Sequence, residues 1–196
     1  MKVTLHFIIA LVGLFILCPL LLFIAIKIKL DSKGPILYFQ ERIGYRGGAF
    51  IIYKFRSMYE DAENNGPMLS YYNDPRVTKW GRVMRKWKLD ELPQLINVLK
   101  GEMSLVGPRP ERKYYINQIA QIYPYFDYLH QVRPGLTSLG MIRFGYARNV
   151  EEIIQRLDYE ISYIKNYSPL LDIYIIFYTF RFISEGKTYR SSVNIS

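Results

Sequence analysis

The sequence predicts a membrane-associated α+β protein, an N-terminal membrane helix followed by a small helix-rich domain with short strands and interfacial amphipathic helices. Three observations carry that expectation. A long uncharged run opens the chain, glycine-punctuated β-rich runs follow it, and the rest of the chain shows helical periodicity. At 196 residues there is room for one compact domain and an appendage. The boundaries are expected at residues 1–30 for the membrane helix and 31–196 for the surface domain. A single cysteine excludes an intramolecular disulfide framework and a cysteine-based zinc site. The formal charge of +9 favours contact with anions, whether nucleic acid, anionic lipid headgroups or phosphorylated substrates.

From Phe7 to Ile26 run 20 residues without a charge, close to the length needed to cross about 30 Å of hydrocarbon as a helix. No small-residue cleavage site follows Ile26, so a cleaved signal peptide is not expected. Bulky Leu17 before Cys18 argues against lipid acylation at that cysteine. Pro19 lies inside the run, where it lacks the N–H for the helical hydrogen bond to residue 15. Lysines flank both ends, with Lys2 before the run and Lys27, Lys29 and Lys33 after it. If positive residues stay cytoplasmic, both ends favour the same side. A re-entrant helix broken at Cys18 and Pro19 satisfies both observations, and a kinked single span is the alternative.

The stretch from Ile28 to Met58, with glycines at 34, 44, 47 and 48, reads as two or three short strands. Glu60 to Asn73 is a polar loop without apolar periodicity, a candidate mobile loop over a site. Asp74 and Pro75 are expected to open a helix as N-cap and first helical residue. Val77, Trp80, Val83, Met84 and Trp87 then share one face, and six basic residues between positions 76 and 88 occupy the rest. Such a helix suits a membrane surface, and it equally suits an ordinary surface helix with its aromatic face in the core. Further helices are expected over about 92–100, with Gly101 as C-cap, over 111–131, 150–166 and 169–184. The last is very apolar but carries Asp172 and Arg181, which fits a buried or membrane-grazing helix better than a second span.

The densest polar cluster is Lys88-Leu89-Asp90-Glu91-Leu92-Pro93-Gln94. Acidic residues here can simply cap the next helix. A functional reading is open as well. An ionised aspartate attacks phosphorus when cations neutralise the phosphate it approaches, and a neighbouring carboxylate can hold Mg²⁺ together with substrate phosphate oxygens and water. Gly107-Pro108-Arg109-Pro110 presents an arginine between two prolines, either as a rigid phosphate contact or as a plain turn. Lys54 and Arg56 flank Phe55 and share a strand face, pointing into an anion site or to solvent. His6 and His130 are isolated, and neither a GxxxxGK[ST] loop nor an HExxH motif is present.

Taken together, IKLDSKGP, QERIG, YKFRSM, DPRVTKWGRVMRK, LDELPQLINVLKGEMSLVGPRPE, VRPGLTSLG and LLDIYIIFYTF resemble the bacterial sugar transferase family, the monotopic phosphoglycosyl transferases that start lipid-linked glycan assembly. The likeness covers nearly the whole chain in the minimal, catalytic-domain form. It implies Mg²⁺-dependent transfer of a sugar 1-phosphate from a UDP-sugar to polyprenyl (undecaprenyl) phosphate, with release of UMP. In that scheme Asp90 is the nucleophile of a ping-pong reaction through a covalent phosphosugar intermediate, and Glu91 is the metal ligand. Lys54, Arg56, Arg85, Pro108, Arg109 and Arg133 are carried over as substrate contacts. The resemblance also favours the re-entrant reading of Cys18 and Pro19, with the site on the cytoplasmic face of the bacterial inner membrane. The expected partners are then UDP-sugar, polyprenyl phosphate and the phospholipid bilayer. Nucleic acid is not an expected partner, and a homodimer is one assembly the reading allows. The chain departs from the family pattern at Cys18, where serine is frequent, at His6, which stands near an aspartate position, and at Glu160, where aspartate is more usual. Two alternatives stay open: Asp90 as a general base in a single ternary complex, and a membrane-tethered, non-catalytic polyanion-binding adaptor.

Overall fold

The computed structural model describes residues 2–185 apart from 65, 72 and 124. Helix α1 (Lys2–Asp31) is the one helix among the described residues that is long and apolar enough to cross a membrane. Thirty residues at 1.5 Å each make it about 45 Å long. Cys18 and Pro19 lie inside this helix, not in a gap between two helices. One face of α1 packs on the rest of the protein along its whole length. Ala10, Leu14 and Leu17 join a core with Leu95, Val98, Val106 and Ile175. Ile24 and Ile28 join a second core with Phe55 and Met84. Both ends of the helix therefore rest on the same domain. The opposite face carries exposed apolar side chains, among them Phe15 at 84% and Leu30 at 77%.

A hairpin follows, β1 (Leu37–Ile43) paired antiparallel with β2 (Ala49–Phe55), with Leu37 opposite Phe55 and Ile43 opposite Ala49. The expected short strands are thus present. Helix α2 (Lys79–Lys86) begins later than expected, because Thr78 is its N-cap and accepts from the Gly81 N–H at 2.9 Å. Asp74 is instead buried against Arg76, 2.6 Å from its Nη2, and does not cap the helix. The apolar positions of α2 are also divided: Met84 is buried while Val83 and Trp87 are exposed. Trp80 meets Phe23 of α1 edge to face, and its backbone N–H donates to Asp31 at 3.0 Å.

The expected helix over 92–100 is a 3₁₀ turn, Leu89–Gln94, running into the short α3 (Leu95–Leu99), with Gly101 at positive φ just beyond. The expected helix over 111–131 is two pieces, α4 (Lys113–Ile119) and a 3₁₀ turn at Phe126–Gln131. The sequence between them contains Tyr123-Pro124, and a proline disfavours helical backbone at the residue before it. Three elements, in two places, have no counterpart in the sequence reading. Two are the strands of the parallel pair β3 (Ser104–Val106) and β4 (Gly135–Thr137), and the third is α5 (Leu139–Arg143). Helices α6 (Val150–Lys165) and α7 (Pro169–Ser184) fall where expected, with Asn149 and Ser168 as N-caps. Leu170, Ile173, Phe177 and Phe180 form an exposed apolar stripe on α7.

A buried polar knot joins α1, β3, α6 and α7. The Leu105 N–H donates to His6 Nδ1, His6 Nε2 lies 3.8 Å from Asp172 Oδ2, and Tyr163 donates to Asp172 Oδ1 at 2.6 Å. In a low-dielectric core such groups must satisfy one another. His6, read as isolated from the sequence, is therefore a tether between the apolar helix and the domain.

Candidate active site

Asp90 and Glu91 sit on the 3₁₀ turn Leu89–Gln94, 7% and 8% exposed. The turn is launched by Lys88, a non-glycine residue in the left-handed region at φ 55°, where backbone strain of about 1 kcal/mol or more is expected. Strand β2 supplies Lys54, whose Nζ lies 2.8 Å from Glu91 Oε1. The Gly107–Pro110 loop supplies Arg109, whose Nη2 lies 2.9 Å from the same oxygen. That loop is fixed from behind, because the Gly107 N–H donates to Thr137 O at 3.1 Å and the Gly135 N–H to Pro108 O at 2.9 Å. A Cβ at Gly107 would collide with the carbonyl of Arg133, so the close approach of the two strand ends requires glycine. Arg85 on α2 donates to Ser57 Oγ at 2.8 Å and to Ser70 Oγ at 2.5 Å, which brings the polar loop onto the site.

Burial pushes the Asp90 carboxyl up from its ordinary value and the adjacent Glu91 charge pushes it further, against the pull of Lys54, Arg85 and Lys88. Burial would raise Glu91 too, but Arg109 and Lys54, with Lys88 beyond them, outweigh it and hold its carboxyl well below the usual carboxylate range. Neighbouring acids are thus driven in opposite directions. Glu91 is the fixed anion that gathers the cations, and Asp90 is the more basic oxygen beside it.

Of the sequence-predicted site residues, Lys54, Arg85, Pro108 and Arg109 surround or brace Asp90 and Glu91. Arg56 does not. Its guanidinium donates to the carbonyls of Lys33 and Ser32, the latter at 2.8 Å, and so ties down the chain at the end of α1. Lys54 lies on β2, but the strand ends at Phe55, so Arg56 falls just beyond it and turns to the chain after α1. Arg133 also turns elsewhere, donating from Nε to Gly101 O at 2.7 Å with its guanidinium over Tyr45. Lys88 was legible as one of a basic run and as the start of the polar cluster but not as a site residue, and Tyr146, whose ring lies under both Lys88 and Arg109, gave no signal at all. Among the described residues no group of three His, Cys, Asp or Glu side chains is arranged to hold a metal. Two adjacent carboxylates still fit Mg²⁺, which is content with one or two protein oxygens when phosphate and water complete its shell.

The geometry defines a class: an apolar helix beside a domain whose buried acidic pair is ringed by more cations than it can neutralise. The chain belongs to the bacterial sugar transferase family, which it matches over residues 1–186. It is 42% identical over 177 residues to the UDP-N-acetylgalactosamine-undecaprenyl-phosphate N-acetylgalactosaminephosphotransferase of Aeromonas hydrophila, covering 90% of this chain and 42% of that protein. It is 39% identical over 168 residues to the UDP-glucose:undecaprenyl-phosphate glucose-1-phosphate transferase of Escherichia coli, covering 85% of this chain and 36% of that one. With the exopolysaccharide production protein PSS of Rhizobium leguminosarum it shares 40% identity over 176 residues, 85% of this chain and 86% of the relative. The chain thus spans less than half the length of the first two relatives and most of the third.

Proposed function

We propose that the protein transfers a sugar 1-phosphate from a UDP-sugar to undecaprenyl or another polyprenyl phosphate, releasing UMP. The observation that carries this is the buried Asp90–Glu91 pair ringed by Lys54, Arg85, Lys88 and Arg109, an excess of positive charge suited to a diphosphate. An Asp90 carboxylate oxygen attacks the phosphorus that bears the sugar, and the bond to the bridging oxygen of UMP breaks. UMP leaves with that electron pair, and an aspartyl phosphosugar remains. An oxygen of the polyprenyl phosphate then attacks the same phosphorus and returns Asp90 to its ionised form. Lys54 and Arg109 neutralise the phosphates and orient them, while Arg85 and Ser57 hold the edge nearest the polar loop. Mg²⁺ bound through Glu91, with Asp90 beside it, would supply further neutralisation of the diphosphate.

Residues 1–30 anchor the protein, and residues 31–196 form the catalytic domain at the membrane surface. The contact of both ends of α1 with one polar domain supports a helix that enters and leaves by the same face. A straight crossing would carry one end to the far side of about 30 Å of hydrocarbon. The exposed apolar faces of α1 and α7 suit contact with lipid. The site then faces the cytoplasm, where soluble UDP-sugars meet a lipid acceptor confined to the bacterial inner membrane.

The test uses full-length protein in lipid nanodiscs with Mg²⁺, undecaprenyl phosphate and a panel of UDP-glucose, UDP-galactose, UDP-N-acetylglucosamine and UDP-N-acetylgalactosamine. UMP release with at least one sugar, abolished by chelator, is the expected result. Without lipid acceptor, intact-mass analysis should find one added phosphosugar on the Asp90 peptide. UMP release that needs both substrates at once, with no adduct, would replace the nucleophile by a general base. Silence across the panel together with salt-sensitive binding to anionic vesicles would point to the tethered adaptor.

A further inference from the structure

Tyr146 lies on the segment between α5 and α6, more than fifty residues from the acidic pair in sequence, yet it packs against two of the site's cations. Lys88 Nζ stands 4.1 Å from the centroid of its ring and 3.1 Å from its hydroxyl. The Arg109 guanidinium lies 5.1 Å from the same centroid while its Nη2 reaches Glu91. Two like charges are thereby brought together beside a half-buried aromatic face, which partly offsets their mutual repulsion through its quadrupole. Lys88 is also held by its own backbone, since the left-handed conformation that launches the 3₁₀ turn fixes where its side chain starts.

We infer that Tyr146 is a positioning residue that seats Lys88 and Arg109 as a paired clamp for the diphosphate of the nucleotide substrate. This rests on the proposed reading of the site and deepens it. A lysine on four rotatable bonds loses considerable freedom when it binds phosphate, about 2 kcal/mol of rotamer entropy for a fully ordered chain. Holding it on the ring beforehand removes part of that cost from the binding step. The hydroxyl orients the ammonium and the ring confines it, so removing the hydroxyl and removing the ring should have graded effects.

The experiment measures UDP binding by calorimetry in nanodiscs, beside KM and kcat for whichever UDP-sugar the wild type turns over. Tyr146→Leu should weaken UDP binding about tenfold and raise KM by the same factor, leaving kcat within about threefold. Tyr146→Phe should give about a two- to threefold loss. In the Lys88→Met background, Tyr146→Phe should cost less than in the wild type, because the hydroxyl would have lost its contact with Lys88. Unchanged UDP affinity in a folded Tyr146→Leu variant would overturn the inference. So would an undiminished effect of Tyr146→Phe in the Lys88→Met background. If Tyr146→Leu fails to fold, that cycle of Tyr146→Phe and Lys88→Met decides alone. Wild type that binds UDP through this clamp but turns over no UDP-sugar would remove the transferase reading and leave the clamp standing. Wild type that does not bind UDP would remove both.

Discussion

Two buried pairs of acids lie on either side of Arg109, and they are balanced differently. In front, Asp90 and Glu91 feel four cations, Lys54, Arg85, Lys88 and Arg109. Behind, Glu111 is paired with Arg156 and with Arg42 at 3.4 Å, and Glu160 accepts from Ser138 at 2.7 Å with Arg156 pulling on its charge. The rear acids are held by Arg42 and Arg156, with Arg109 also acting on Glu111, whereas the front acids feel four cations, a larger positive excess. Arg109 joins the clusters, since its backbone N–H reaches Glu160 at 3.4 Å and its side chain reaches Glu91. On the proposed reading the rear pair is scaffold and the front pair is the site prepared for an anion. Buried charge alone does not separate the two roles. The surplus of one sign does.

The largest expected effect separates the pairs by chemistry. If Asp90 is the nucleophile as proposed, Asp90→Asn keeps the shape of the side chain and removes the attacking charge, so UMP release should fall by about 10³-fold or more. Circular dichroism should show the fold intact. Retained turnover above about a tenth of wild type would put the nucleophile elsewhere.

The next effect should run the other way. Arg156→Met removes the partner of Glu111 and leaves the rear acids undercompensated at a site only 3% exposed. Breaking a buried pair in this manner costs about 3–5 kcal/mol, which chemical denaturation would read directly. The KM of the fraction that folds should stay within about twofold of wild type. A large rise in KM with little loss of stability would mean that the rear cluster also contacts substrate.

The elements that were legible in the sequence are those whose signals are local. Ser168-Pro169 and Asn149 carry capping chemistry, so α6 and α7 lie where periodicity places them. Asp74-Pro75 offers the same local signal and fails, because Arg76 satisfies Asp74 and Thr78 takes over the cap. The parallel pairing of residues 104–106 with 135–137 depends on contacts about thirty residues apart, and three-residue strands carry no alternation to read. In the site, adjacency made Asp90 and Glu91 conspicuous. Lys54 and Arg56 look equivalent in the sequence, and only the position of Ser32 and Lys33, just beyond the end of α1, assigns one to Glu91 and the other to backbone carbonyls. Tyr146 was invisible, because an aromatic residue in a loop has no pattern until the chain brings two cations to it.

The smallest effect divides the front pair itself. Asp90 is ionised in the fold at a cost, because its carboxyl is raised above the unfolded value near 3.8. Glu91 is ionised with a gain, because its carboxyl is held well below 4.5. At pH 7 Asp90→Asn should therefore melt above wild type and Glu91→Gln below it. A change of 1 kcal/mol moves Tm by about 2–4 °C in a protein of this size, so opposite shifts of a few degrees are readable by scanning fluorimetry. The stability contributed by Glu91 is fully present above the unfolded value of about 4.5 and is lost as pH falls through its lower folded value. The gap between wild type and Glu91→Gln should accordingly close only in strong acid. If Asp90 attacks as proposed, the activity of wild type should fail earlier on the same descent, because burial and the Glu91 charge raise the Asp90 carboxyl from its ordinary value. A pH–rate profile with an acid limb no higher than that of an ordinary aspartate, or melting shifts of the same sign for both variants, would mean that the two neighbours share one environment instead of dividing the work between a fixed anion and a reactive one.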